Sequence, residues 1–68
     1  MYRIASNSDY HNGRKFDSMV EAVNYARKWN WNPSVCDVYR DIDRDRYQVV
    51  WASDKTLLGR VIFRNWTV

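Results

Sequence analysis

Ser18-Met19-Val20-Glu21-Ala22-Val23-Asn24-Tyr25-Ala26-Arg27-Lys28-Trp29-Asn30-Trp31-Asn32-Pro33 is the stretch that decides the fold. Ser18 and Glu21 have the spacing of a capping box, in which each side chain satisfies an orphan backbone N–H at a helix start. Met19, Ala22, Val23, Ala26 and Trp29 then recur at helical spacing on one face, with Glu21, Asn24 and Lys28 opposite. Arg27 and Lys28 fall in the last turn, where the helix dipole favours cations. Pro33 forbids continuation. The pattern predicts one helix over residues 18–31, and no second segment repeats it.

Around this helix the chain reads as strands. Tyr2 to Ser6 is a short strand with Tyr2 and Ile4 on one face. Residues 7–13 form a turn or loop that ends in Asn12-Gly13, two residues that tolerate positive φ. Arg14-Lys15-Phe16 returns as a short second strand. Beyond Pro33, residues 34–41, 46–52 and 57–67 read as three strands. They are separated by the charged turn Asp41-Ile42-Asp43-Arg44-Asp45 and by Ser53-Asp54-Lys55-Thr56. In the second of these strands Tyr47, Val49 and Trp51 alternate with Gln48, Val50 and Ala52. Gly59 marks a bulge in the last. The fold expected is α+β, with one helix on one face of a three- to five-stranded antiparallel sheet in the order β-(β)-α-β-β-β. The expected core is Ile4, Val23, Ala26, Trp29, Val38, Val49, Val61 and Phe63.

Bulk composition restricts the possibilities. The chain has 68 residues, enough for one domain over residues 1–68. A domain this small is marginal without a staple or a dense core. One cysteine excludes an intrachain disulfide, and one histidine makes a Cys/His zinc site implausible. A dense core is the remaining route, and the chain is 46% hydrophobic and 16% aromatic, with four Trp and five Tyr. The net charge is +3 and the isoelectric point about 9.3, which permits nucleic acid without demanding it. The N-terminus, Met1-Tyr2-Arg3-Ile4-Ala5-Ser6, lacks the apolar run of a signal peptide, and no stretch has the length of a membrane span. A cytoplasmic, reducing setting is expected, with no membrane partner.

The candidate chemical motifs each have a plainer explanation. Asp41, Asp43 and Asp45 resemble the start of an EF-hand loop, but Arg46 stands where that loop needs Gly, and Ala52 where it needs Glu. A solvated hairpin tip is expected instead. Cys36 lies inside Val35-Cys36-Asp37-Val38, a strand, and reads as a buried small hydrophobe. His11, beside Asp9 and Tyr10, reads as an exposed loop histidine. No catalytic set, metal site or cofactor motif can be assembled, so a non-enzymatic binding role is expected.

The residues left over suggest where binding occurs. In the last strand, Arg60, Ile62, Arg64 and Trp66 alternate with Leu57, Gly59, Val61, Phe63 and Asn65. If Leu57, Val61 and Phe63 face the helix, then Arg60, Arg64 and Trp66 form a basic and aromatic strip on the open face. Arg46 and Gln48 on the neighbouring strand extend it. Trp31 lies off the helix stripe and forms a separate corner. Trp, Tyr and Arg are favoured anchors of protein interfaces, so the leading expectation is a protein-binding module. By fold-level analogy, such a module suits a small phage-encoded inhibitor of a host defence complex, as anti-CRISPR proteins are. The alternative is a nucleic-acid-binding sheet that uses the same strip to stack bases and hold phosphates. A long final strand also leaves an edge that a symmetric homodimer would cover.

Overall fold

A computed structural model describes residues 1–31 and 35–63. Five strands and one helix follow in the order β1 (Tyr2–Ser6), β2 (Lys15–Phe16), α1 (Met19–Trp29), β3 (Cys36–Asp41), β4 (Arg46–Trp51) and β5 (Val61–Phe63). A single 3-10 turn, Lys55–Leu57, lies between β4 and β5. The strands form one sheet in the spatial order β2-β1-β3-β4-β5, and every neighbouring pair is antiparallel. The chain is therefore an α+β domain with the expected element order.

Helix α1 starts at the expected cap residue, Ser18, which supplies its half of the capping box. The Ser18 Oγ accepts from the backbone N–H of Val20 and Glu21, at 3.1 and 3.4 Å. The helix ends at Trp29, two residues short of the expected limit, with Asn30 as its cap. Ala22 and Ala26, one turn apart, are fully buried and let the helix axis come close to the sheet. They meet Ile4, Cys36 and Val38, also fully buried. Tyr2, Phe16, Val23, Tyr25, Trp29, Val50 and Trp51 pack around this centre. Cys36 is the small core hydrophobe its position implied. Met19 is exposed at the edge of the stripe.

The helix packs on β1, β2 and β3. A single helix, about 10 Å across with its side chains, spans only two or three strands spaced about 4.8 Å apart, so it does not cover all five. The expected core changes accordingly. Ile4, Ala26 and Val38 are buried in it, and Val23 and Trp29 line it. Val61 and Phe63 are not core residues: they are 44% and 71% exposed, because β5 lies beyond the reach of the helix. The last strand is also shorter than expected at its start. Residues 55–57 are wound into the 3-10 turn, where the Asp54 carboxylate accepts from the Thr56 N–H.

Two bulges fix the faces of β4 and β5. Val38 stands opposite Trp51 and Tyr39 opposite Val49, so Val50 is an extra residue in β4. The simple alternation of Tyr47, Val49 and Trp51 is broken there. Trp51 joins the helix side, whereas Val49 is buried on the far side of the sheet. At the second bulge, the Gly59 N–H bonds to the Val49 carbonyl (2.9 Å) and the Val49 N–H to the Arg60 carbonyl (3.0 Å). Two residues thus oppose one, with Gly59 at φ +80°, a conformation that suits glycine. This is the bulge expected at Gly59.

Ile4→Ala should cost about 2–5 kcal/mol, since it empties a fully enclosed site, whereas Phe63→Ala should cost far less. Paired urea titrations of the two variants check this.

Candidate functional site

Residues directly opposite each other in a sheet share a face. Arg46 is opposite Phe63, Tyr47 opposite Ile62 and Gln48 opposite Val61. Arg46 and Gln48 therefore stand with Val61 and Phe63 on the helix side, in the part of the sheet the helix does not cover. Arg60 falls with Ile62 on the far side. Of the expected strip of Arg60, Arg64, Trp66, Arg46 and Gln48, the described members are thus divided, Arg60 on the far side and Arg46 and Gln48 on the helix side. Alternation within one strand cannot reveal this, because the match between strands depends on the register that the Gly59 bulge sets. Arg64 and Trp66 lie outside the described residues.

On the overhanging ribbon the polar side chains are already engaged. Arg46 donates from Nε and Nη2 to Asp43 Oδ2, at 2.9 and 2.7 Å. Asp43 Oδ1 accepts from the N–H groups of Asp45 and Arg46, both at 2.9 Å. The side-chain bond from Arg46, then the Asp45 N–H, holds the Asp43 carboxyl below its usual range. The aspartate-rich tip is thus a pinned hairpin, and Arg46 serves it. Arg40 donates to Gln48 Oε1 at 3.3 Å, and Gln48 Nε2 to the Gly59 carbonyl at 3.2 Å. These bonds tie β3, β4 and the start of β5 into one ribbon. Val61 and Phe63 rise from it as exposed apolar groups.

The far side of the sheet differs in character. Arg3 and Asp41 form an ion pair at 3.3 Å, and the Tyr39 and Tyr47 rings meet at 4.6 Å between centroids. The pairing of Arg3 with Lys15 and of Ala5 with Asp37 places Lys15 and Asp37 on this side too. Burial pushes the Asp37 carboxyl up, helped by the negative charge of Asp54. Asp54 itself is held low, chiefly by a 2.7 Å bond from the Thr56 hydroxyl. The face mixes both signs of charge around a tyrosine pair.

Trp31 lies just past the helix cap. Its N–H bonds to the Trp29 carbonyl at 3.1 Å, and its side chain is 66% exposed. It stays apart from the ribbon in sequence.

His11 corrects the sequence reading. It is 6% exposed, not a solvated loop residue. Its Nδ1 is 2.6 Å from the Tyr25 hydroxyl, and its ring stacks on Trp29 at 5.1 Å. Arg14 lies over the Tyr10 and Tyr25 rings, and Lys28 over Trp29. Burial raises the Tyr25 hydroxyl above its usual 10.0, against the opposing pull of Arg14. The signal available in the sequence is the pair Tyr25 and Trp29, four apart on the helix, which forms a slot for a flat ring. This cluster fastens the loop before β2 to the helix.

Among the described residues, no three His, Cys, Asp or Glu side chains are grouped to hold a metal ion, and the surface forms no pocket. No described helix is long and apolar enough to cross a membrane. No protein-family model, curated protein or solved structure matches the chain.

Two variants test these environments. Tyr25→Phe should destabilise by roughly 1–3 kcal/mol, because it leaves a His11 nitrogen buried without its partner; thermal melts measure it. Asp37 has a folded pKa raised above its usual 3.8, so its ionisation opposes folding once pH rises through the carboxylate range. Asp37→Asn should therefore raise Tm at pH 7, and the gain should vanish as pH falls below that usual value.

Proposed function

We propose that this chain is a non-enzymatic protein-binding module that docks through the overhanging β4–β5 ribbon. The observation that carries the proposal is the exposure of Val61 and Phe63 side by side on the helix side of the sheet, where the helix does not reach. An aromatic anchor on a rigid surface suits a protein interface, where a few such groups supply most of the affinity. Arg40 and Gln48 frame the pair as a polar rim, and their mutual bond, with that from Gln48 to the Gly59 carbonyl, holds the ribbon in shape before a partner arrives.

Nucleic acid is the second reading, favoured by the Tyr39–Tyr47 pair beside Arg3 on the far side. Asp37 and Asp41 flank that pair and Asp41 already holds Arg3, so the face offers mixed charge rather than a run of cations for a phosphate chain, and the protein reading has the stronger support. Size and element order support the finer reading of a cytoplasmic, phage-encoded inhibitor of a host defence complex.

The test is affinity capture from a lysate of the source organism, with and without nuclease, comparing the wild type with Phe63→Ser. A nuclease-resistant protein partner should be retained by the wild type and lost at least about tenfold with Phe63→Ser, as expected for an anchor worth roughly 2 kcal/mol. Circular dichroism should show the variant folded. Capture that disappears with nuclease and falls steeply with salt would favour the nucleic-acid reading.

A further inference from the structure

We propose that the ribbon captures its partner by strand addition: β5 takes an extended, acidic segment of another protein along its outer edge. This rests on the ribbon reading above and names the partner's form and charge. β5 is the last strand in the sheet order, so its outer side faces no strand among the described residues.

The hydrogen-bond pattern shows which groups that edge offers. Bonded and non-bonded positions alternate in an antiparallel pair. The Ile42 N–H bonds to the Arg46 carbonyl, so Arg46 and Gln48 turn their backbone towards β3. Tyr47 and Val49 then turn towards β5, as the bonds between Val49 and Gly59 and between Val49 and Arg60 demonstrate. Ile62, opposite Tyr47, spends its backbone groups on β4. Val61 and Phe63 have theirs turned outward, where an added strand would meet them.

The side chains specify what that strand carries. On the helix side it would run beside Val61 and Phe63, which favour apolar residues at alternate positions. On the far side it would run beside Ile62 and the exposed Arg60, whose charge also helps hold the Asp54 carboxyl low and favours a further carboxylate at an intervening position. The net charge of +3 adds attraction at longer range. A second copy would bring the same positive charge, and so is the less complementary occupant.

Proline gives a selective test. Val61→Pro removes an outward N–H and spares the ladder to β4, as edge strands allow. The probe is a synthetic seven-residue peptide that alternates Glu and Val, with a counterpart that alternates Lys and Val. Binding is followed by fluorescence anisotropy and amide hydrogen exchange. The acidic peptide should slow exchange at Val61 and Phe63, and the lysine peptide should bind at least about tenfold more weakly. Val61→Pro should lower affinity for the acidic peptide by about tenfold, by loss of a bond and of strand geometry, with Tm little changed. Strand addition is overturned if neither peptide binds, if both bind equally or if Val61→Pro binds as the wild type does. It is also overturned if exchange at Val61 and Phe63 slows with protein concentration alone, which would identify a second copy as the occupant. Capture lost with Phe63→Ser but kept with Val61→Pro would leave the ribbon reading standing without strand addition. Capture kept by both would refute both.

Discussion

Val50, the extra residue in β4, decides which side chains meet the helix. A strand alternates faces with a period of two, so one inserted residue exchanges the faces of everything beyond it. On one side of Val50, Trp51 is delivered to the helix-side core. On the other, Tyr47 and Val49 are delivered to the far side, and Gln48 and Arg46 to the overhang. Without the bulge, Trp51 would leave the helix, and a core that small would lose one of its largest apolar groups. Bulges also increase local twist. Val50 therefore sits at the junction between the part of the sheet that the helix covers and the ribbon that projects past it.

A domain of this size lacks the burial of a larger one and must use what area it has economically. Here the centre of the core consists of small residues, Ala22, Ala26 and Cys36, which permit close approach, and large rings surround it. The His11, Tyr25 and Trp29 cluster extends the ordered interior to a polar loop. Other loops are held by local side-chain bonds. The Asn12 carboxamide accepts from the Ser6 N–H, Asn7 from Val35, Asn30 from Cys36, and Asp43 and Asp54 each close their own turn. These bonds stand in for the covalent staples the sequence cannot form.

The helix was legible because its signals are local: a cap residue, a four-residue repeat of alanines and a proline beyond the end. The antiparallel sheet was legible for the same reason, since turn residues separate runs of β-formers. Its faces were only half legible. Ile4 and Val38 could be assigned because the helix lies directly over them. The faces of Arg46, Gln48 and Arg60 depend on contacts between strands, which a bulge of one residue reverses. The Gly59 bulge announced itself through glycine, whereas Val50 is a good strand former and gave no sign. His11 was missed because its burial comes from rings fourteen and eighteen residues away, while its immediate neighbours are polar. The exposure of Val61 and Phe63 was hidden for a related reason: hydrophobic alternation marks a strand but not how far a helix extends over it.

The two edges of the sheet are treated differently, and the contrast bears on function. Soluble proteins guard edge strands by keeping them short, by charging them or by covering them. β2 obeys all three: it has two residues, one of them is Lys15, and the helix packs over it. At β5 the helix stops before the strand, and the exposed side chains on the helix side are Val61 and Phe63. Its charge is displaced to Arg60, at the bulge. An edge left apolar costs solubility and gives nothing to the stability of the isolated domain. The same small fold guards its other edge, and strand addition at β5, as proposed above, would supply there the cover that β2 has built in.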